Sequence, residues 1–439
     1  MRVKNRVAML VSFSFSNFKS FKDENRISLV AAQNDENYFY THPTPFEYSL
    51  LKSAAVYGAN ASGKTKLFEA LDFMRLMVCP PEKSKQVPAF DYWKSKYSAF
   101  RLNTYSQEEK SFFEVVFILE DIQYRYGFEL DLDGISSEWL YRKSSRERMI
   151  LSREGDKPQI HSSKYFNAKR LSSIKSANMV SSDALLLSVL ATFNDPLAKD
   201  IVGWFQKLTI ISANELRTPI KALMDSTQKR RIISFLSAFD INIEGLSMHE
   251  IAPDAIPEKI KNILGEEAFK GTVYDGVSAT HKVYNELYEK AGHTQFLMEV
   301  DESFGTNRLL CLSWPIIKAL QDGSVLLIDE IDSGIHQHVV SAILELFYRV
   351  SGTAQLIINT HNASLLNTSA TLINGKPLFR KDQIYIVGKN RYGESNVYPA
   401  TDFRTDMRSN IEKLYLDGKL TGVPHVDMDS LMEMADHES

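Results

Sequence analysis

Two carboxylates, a lysine, a threonine and two glycines stand at spacings that suit phosphate chemistry. Gly58-Ala-Asn-Ala-Ser-Gly-Lys-Thr65 follows the apolar run Ala54-Ala55-Val56-Tyr57 and precedes the amphipathic Leu67-Phe68-Glu69-Ala70-Leu71. The pattern is G-x-x-x-x-G-K-[ST], in the strand, loop, helix setting such a loop needs. Gly58 and Gly63 let the backbone curl, so that successive N–H groups and the following helix N-terminus point at one anionic centre. Gly58, Asn60, Ser62, Gly63, Lys64 and Thr65 are therefore the candidate nucleotide-binding residues. Lys64 would reach the β- and γ-phosphates, and the Thr65 hydroxyl would hold Mg²⁺. ATP and Mg²⁺ are the expected cofactors.

The second centre is Ser324-Val-Leu-Leu-Ile-Asp-Glu330, an apolar strand pattern ending in two acids. Alone it is weak, because many buried strands end in a carboxylate. Beside a phosphate loop, Asp329 is expected to hold Mg²⁺ and Glu330 to act as general base on the attacking water. A third feature is Glu302-Ser-Phe-Gly-Thr-Asn-Arg308, which opens the apolar helix expected over 309–320. Ser303 with the backbone of Gly305 and Thr306 would form a second small anion site at that helix's N-terminus. One nucleotide does not need two such sites, so this one is expected to complete the nucleotide of a partner subunit, head to head. Asp332-Ser333-Gly334 supplies a short polar turn where two such subunits would meet. The strand expected at Gln355–Asn359 leads into Thr360-His361, 31 residues past Glu330, a spacing that suits a neighbouring parallel strand. A lone histidine is more often an ordinary surface or core residue; its place at a strand's C-terminal end makes His361 a candidate γ-phosphate contact.

The elements that must position these residues follow from periodicity. Residues 10–30 alternate apolar and polar side chains as half-buried strands do. The loop's helix is expected from Lys64 to Met77, stopping before Pro80-Pro81. Phe112–Leu119 and Gln123–Leu130 read as an antiparallel pair, with Asp133-Gly134 closing the lobe. Helical patterns run over 183–193, 197–208 and 227–239, with short strands at 208–211 and 243–248. The expected divisions are an ATPase part at 1–150, a mainly helical insert at 151–295, the rest of the ATPase at 296–424 and an acidic tail at 425–439.

Composition bounds the rest. The chain has 439 residues, 44% hydrophobic and 11% aromatic, enough for a sizeable core in two or three domains. A net charge of −4 gives no global signal for nucleic acid. Between 141 and 175, however, ten Lys/Arg face three acids, a local excess that suits an acidic partner or equally a solvated face. Cys79 and Cys311 stand far apart, so neither a disulfide framework nor a zinc site is indicated. No stretch reads as a leader or a membrane span, and a cytoplasmic location is expected.

The set GANASGKT, ESFGT, VLLIDEIDSG and NTH resembles the ABC-type ATPases of the SMC, Rad50 and RecF kind. Within that group it is similar to the stand-alone AAA-type ATPases related to the OLD proteins, as are the opening Phe15–Phe21 and the closing 412–424. The resemblance implies an α/β fold of the ABC-type P-loop ATPase class, with an N-terminal antiparallel β lobe, a mostly parallel core sheet and the mainly helical insert. It also implies an ATP-sandwich dimer, in which Lys64, Thr65, Asp329, Glu330 and His361 act on one nucleotide while Ser303 and Gly305 act on the other subunit's. Ser-Phe-Gly-Thr is not the signature of transporters, so no membrane partner is expected. Gln107 and Gln123 are candidates for the family's glutamine contact, and Gln337 stands where the family often has proline. OLD nucleases carry a Toprim domain after the ATPase; here Asp427-Met-Asp429 mimics its metal pair inside a tail of five carboxylates and no bases, and reads as tail. The resemblance then runs to ATPase subunits of two-component anti-phage systems such as PARIS. What it implies is a homo-oligomeric ATPase controlling a separate effector, a Toprim-type nuclease or a toxin, with a phage protein or DNA as trigger. The alternative is a RecF-like ATPase that clamps DNA in repair.

Overall fold

The computed structural model describes residues 8–32, 38–80, 93–166, 181–213, 217–251, 274–367, 375–403 and 411–418. Lys169, Arg170 and Lys175 of the basic stretch, and the whole acidic tail, lie outside the described residues.

In chain order, β1 (Ala8–Ser16), β2 (Asn25–Ser28), β3 (Thr41–His42), β4 (Leu50–Leu51) and β5 (Ser53–Gly58) lead into α1 (Lys64–Val78). Then come β6 (Ser111–Leu119), β7 (Ile122–Asp131), β8 (Gly134–Lys143), β9 (Glu147–Glu154), β10 (Lys157–Ile160), α2 (Leu186–Thr192) and α3 (Pro196–Lys207). β11 (Thr209–Ile211), α4 (Ile220–Met224), α5 (Ser226–Ala238), β12 (Gly245–Ile251), β13 (Tyr274–Tyr284) and β14 (Lys290–Leu297) precede α6 (Phe304–Asp322). The chain continues through β15 (Val325–Ile328), α7 (Gln337–Arg349), β16 (Gln355–Asn359), β17 (Ile384–Lys389), β18 (Ser395–Pro399) and α8 (Ile411–Leu416).

Two sheets sandwich α1. The first is antiparallel, in the order β10-β9-β8-β7-β6-β1-β2; the second runs β11-β15-β16-β5-β17-β18 and is parallel except for β18. Strands β5, β15 and β16 are buried along their whole length, as expected of parallel strands covered on both faces. Their alternation assigns each side chain to one of two cores. Ala54, Val56, Val325, Leu327 and Ile357 face α1 and the antiparallel sheet. Ala55, Tyr57, Leu326, Ile328, Leu356 and Ile358 face the core that holds α6 and α7. The phosphate loop, the two acids and His361 therefore emerge at the carboxyl ends of the adjacent parallel strands β5, β15 and β16, the usual ligand edge of such a sheet.

The region expected as one mainly helical insert contains those helices; they pack in two pairs, α2 with α3 and α4 with α5, and each pair enters a different core. Asp133-Gly134 does not close the lobe; it turns β7 into β8, with Asp131 paired to Gly134, and the boundary at 150 falls inside β9. α2 and α3 bury Leu186, Leu187, Leu190, Ile201, Trp204 and Phe205 in the first core, where Trp204 stacks on Phe117 at 4.3 Å. β11 joins the parallel sheet beside β15, and Ile232 and Leu236 of α5 enter the second core. The physical reason is that a periodic apolar stripe shows that a helix must be covered, not which core covers it. The hairpin β13–β14 went unforeseen because β14 is largely exposed and mostly small or polar, which hides the strand alternation.

A buried polar knot holds α2 to the first sheet. Glu138 is 1% exposed and accepts the N–H groups of Leu186 and Leu187 at 2.6 and 2.9 Å and the Tyr126 hydroxyl at 2.9 Å, so it caps a helix with no cap of its own. Arg153, fully buried, donates to the carbonyls of Gly155, Ser181 and Ala184. On the opposite face Trp139 covers Gly127, where an added Cβ would stand 2.5 Å from the indole and 2.8 Å from the Phe113 carbonyl. Gly127→Ala is expected to destabilise the fold by about 1–3 kcal/mol, as overpacking typically does. A urea midpoint unchanged by this substitution would show that the indole moves aside at no cost.

Candidate functional site

The loop after β5 is built around missing side chains and unpaired donors. Gly63 adopts a left-handed φ of 115° and caps α1 without a side-chain acceptor, so the first N–H groups of α1 stay available. A Cβ at Gly63 would stand 2.7 Å from Ser395 Oγ and 2.9 Å from Ser20 Oγ. Ser395 Oγ donates to the Ser62 carbonyl at 2.6 Å and Lys389 Nζ to the Ala61 carbonyl at 3.3 Å, pinning the loop from β17 and β18. Ser62 Oγ is buried with no hydrogen-bond partner among the described residues, and Asn60 is exposed at the rim. Uncapped N–H groups, an orphaned hydroxyl, glycine clearance and a lysine fit a polyphosphate. They fit little else as well.

Lys64 is 5% exposed and donates to the carbonyls of Gly58 and Ala59 at 2.8 and 2.9 Å, with His361 Nδ1 3.5 Å away. Burial lowers its pKa to about 8, against the pull of Glu330, Asp329 and Asp332. Partial desolvation and the Lys64 cation also lower that of His361, which leaves its imidazole neutral at pH 7. The lysine loses its charge as pH rises through about 8, and an anion that needs the ammonium must then restore the proton. ATP affinity is expected to hold from pH 6.5 to 7.5 and to fall about tenfold by pH 9. Affinity that stays flat to pH 9 in a fluorescent-nucleotide titration would remove Lys64 from the contact.

The acids sit where β15 ends. Asp329 is 3% exposed; its Oδ1 accepts from the Thr65 hydroxyl at 3.2 Å and from the Asn359 amide. Burial raises its pKa, while those two donors oppose the rise. A hydroxyl and a carboxylate are hard oxygen ligands suited to Mg²⁺, which keeps waters and phosphate oxygens as its remaining ligands. Among the described residues no group of three or more His, Cys, Asp or Glu could hold a metal by itself. Glu330 is held in a left-handed turn, φ 48°, with its N–H on Asn359 Oδ1 at 2.7 Å. Arg308 donates to the carbonyls of Asp329, at 3.3 Å, and of Glu330.

The structure thus brings Lys64, Thr65, Asp329, Glu330 and His361 to one edge. Ser303, Gly305 and Thr306 gather separately at the start of α6. Ser303 Oγ accepts the Thr306 N–H at 3.1 Å, and Ser303 is exposed. Among the described residues no hydrogen bond joins 303–306 to 58–65. Glu302, just before, pairs with His281 of β13 at 2.5 Å. Gln123 accepts from the Tyr48 hydroxyl and Gln107 donates to the Arg101 carbonyl, so neither glutamine bonds a site residue.

Sequence reasoning missed Arg308 and Asn359, which hold the Asp329–Glu330 turn from two sides. Arg308 had a signal, a lone cation at the start of an apolar helix; Asn359 looked like the end of a strand. It also missed a basic groove of about 410 Å³ beside the loop, lined by Lys19, Lys66, Arg101, Lys389 and Phe100. Lys19 and Lys66 share Glu69 there. Of the basic stretch, Arg142 and Arg148 face one another across β8 and β9, and Arg142 lies 4.7 Å over the Tyr165 ring. Tyr57, whose hydroxyl is buried without a partner among the described residues, packs edge-on against Tyr415 of α8 at 5.7 Å. No helix among the described residues is long and apolar enough to cross a membrane.

No curated protein matches the chain. Among solved structures, the SMC head domain from Thermotoga maritima is similar at 16% identity, covering 89% of this chain and 98% of that one, with a TM-score of 0.40. An SMC head bound to the C-winged helix domain of ScpA gives 16% identity, 89% and 97% coverage and a TM-score of 0.40. The family described as "AAA domain, putative AbiEii toxin, Type IV TA system" matches residues 53–367, which span the phosphate loop, Ser303–Thr306, the two acids and His361. With well over half of its length in that match, the chain belongs to this AAA-domain family.

Proposed function

We propose that this protein is a Mg²⁺-dependent ATP hydrolase that closes on its nucleotide as a pair of subunits, and that the closing and opening control a separate effector protein. The observation that carries the hydrolase reading is the convergence of Lys64, Thr65 and Asp329 beneath a glycine-cleared, uncapped helix N-terminus. Lys64 and the N–H groups of α1 bind and orient the phosphates. Thr65 and Asp329 hold Mg²⁺, which when bound neutralises phosphate charge. Glu330 takes the proton of the attacking water as that oxygen bonds to the terminal phosphorus and the bond to the ADP oxygen breaks. His361, neutral beside Lys64, donates its ring N–H to an oxygen at the γ-phosphate end.

The shared-nucleotide reading is supported by the exposed N-terminus of α6, whose Ser303, Gly305 and Thr306 make no hydrogen bond to this subunit's own loop among the described residues. If two copies form each site, the hydrolysis rate per subunit should climb with protein concentration and then level. A rate per subunit that stays constant over a hundredfold dilution range would contradict sharing.

Control of an effector is supported by the family's description, which sets its members in a two-component Type IV toxin–antitoxin system, and by the resemblance of the motifs to ATPase subunits of two-component anti-phage systems such as PARIS. Its test is co-purification with the protein encoded beside it, Toprim-type nuclease or toxin. Retention should differ between the Glu330→Gln and Lys64→Ala forms; equal retention contradicts a nucleotide-controlled switch. One observation favours a second reading, a DNA-clamping repair ATPase: Arg142, Lys143, Arg146 and Arg148 cluster on one hairpin beside Tyr165. Arg146→Glu with Arg148→Glu should then weaken DNA binding and its salt dependence. DNA binding that is absent or insensitive to these changes leaves the hairpin as solvated surface.

A further inference from the structure

The first turns of α6 are fastened to the turn carrying Glu330 at two points. On the inside, Arg308 is 2% exposed, and its guanidinium donates to the carbonyls of Asp329 and Glu330 while its Nε finds no partner among the described residues. Such a buried cation is costly unless surrounding dipoles and charges answer it. Among the described residues, its hydrogen bonds go to the one segment that carries the general base. On the outside, Gly305 abuts the Gly334 carbonyl, where a Cβ would come within 2.7 Å, and the Phe304 ring lies against Gly334 itself. Gly334 belongs to the same short turn, closed by Ser333 N–H on the Glu330 carbonyl at 3.0 Å. Glu330 is itself in a left-handed backbone state that a glutamate keeps only when its neighbours over-determine it. Asn359 holds its N–H and Arg308 its carbonyl.

We propose that Arg308 is a positioning residue that ties the seating of a second nucleotide's phosphate on Ser303–Thr306 to the placement of Glu330 over the subunit's own nucleotide. The proposal rests on the shared-nucleotide reading and adds regulation to it. α6 is a rigid rod through its first turns, with Ser303 as its cap. A phosphate drawn onto its N–H groups displaces the rod, and Arg308 and the Phe304–Gly334 contact carry that displacement to residues 329–334. A packed turn of this kind has discrete arrangements and does not deform continuously. A subunit would therefore hydrolyse only while its own α6 is engaged, and the two sites of a pair would fire together.

Three variants separate this from a merely structural role. Phe304 is 62% exposed, so Phe304→Ala carries little folding risk. It is expected to keep the ATP dissociation constant within about twofold, to lower kcat about tenfold, and to bring a Hill coefficient above 1 down to 1. Arg308→Met, similar in length and uncharged, is expected to lower kcat about 100-fold with the dissociation constant held. Arg308→Lys, which keeps the charge but replaces the planar guanidinium, whose Nη2 donates to both carbonyls, with a shorter ammonium-tipped chain, should rescue kcat only partly. The proposal is overturned if Phe304→Ala leaves kcat and the Hill coefficient untouched, or if Arg308→Met and Arg308→Lys lose binding and turnover in equal measure. Ser303→Arg is the control for the reading beneath it. Loss of ATP-driven association in Ser303→Arg, with Phe304→Ala like the parent, rejects the coupling alone; unchanged association and turnover in Ser303→Arg rejects the shared site.

Discussion

Glu330→Gln should bind ATP with Mg²⁺ within about threefold of the parent protein and hydrolyse it about 100- to 10,000-fold more slowly, the range that general-base catalysis supplies. The separation of binding from turnover follows from where the side chain hangs. Its backbone is held by Asn359 Oδ1 on the N–H and by Arg308 on the carbonyl, and neither bond involves the carboxylate. Glutamine keeps the volume and the φ 48° turn and removes only the proton acceptor. The phosphate-binding groups, Lys64 and the N-terminus of α1, are untouched. Single-turnover hydrolysis and a nucleotide titration check both halves. Turnover near the parent rate would take the base role away from Glu330; joint loss of binding would mean that its charge helps to shape the loop.

The second large effect is expected at Lys64. Lys64→Ala should weaken ATP binding at least 100-fold, because the ammonium is desolvated, aimed along the loop and answered there by carbonyl oxygens that a phosphate would displace. The fold should survive, since the loop is pinned independently by Ser395 and Lys389. A thermal midpoint close to the parent's together with lost binding would locate the effect at the phosphates. Retained affinity would mean that α1 and Thr65 suffice.

Much of this site was legible in the chain because its parts are local. The loop is eight consecutive residues, the acids end a four-residue buried strand, and 31 residues from Glu330 to His361 leave room for α7 between adjacent parallel strands. Continuous apolar runs mark β5, β15 and β16 as buried, and the alternation of side chains along them fixes which core each one faces. What stayed hidden is long-range. Asn359 is a strand-end amide until β16 docks beside β15 and turns it into a brace for both acids. Arg308 reads as a surface cation until α6 crosses under Glu330. The partition of 151–295 between two cores was equally invisible, since Trp204 and Leu236 carry the same apolar signal and only the packed chain sends one to Phe117 and the other to the far side of the parallel sheet.

The most direct measurement is the mass in solution of the Glu330→Gln protein with Mg²⁺ and either ATP or ADP, repeated with Ser303→Arg added. A nucleotide clasped between two copies requires ATP to raise the assembled fraction in Glu330→Gln, ADP to leave it low, and Ser303→Arg to abolish the difference while ATP still binds. Association that ignores ATP, or that persists unchanged with arginine at the head of α6, would contradict the shared site.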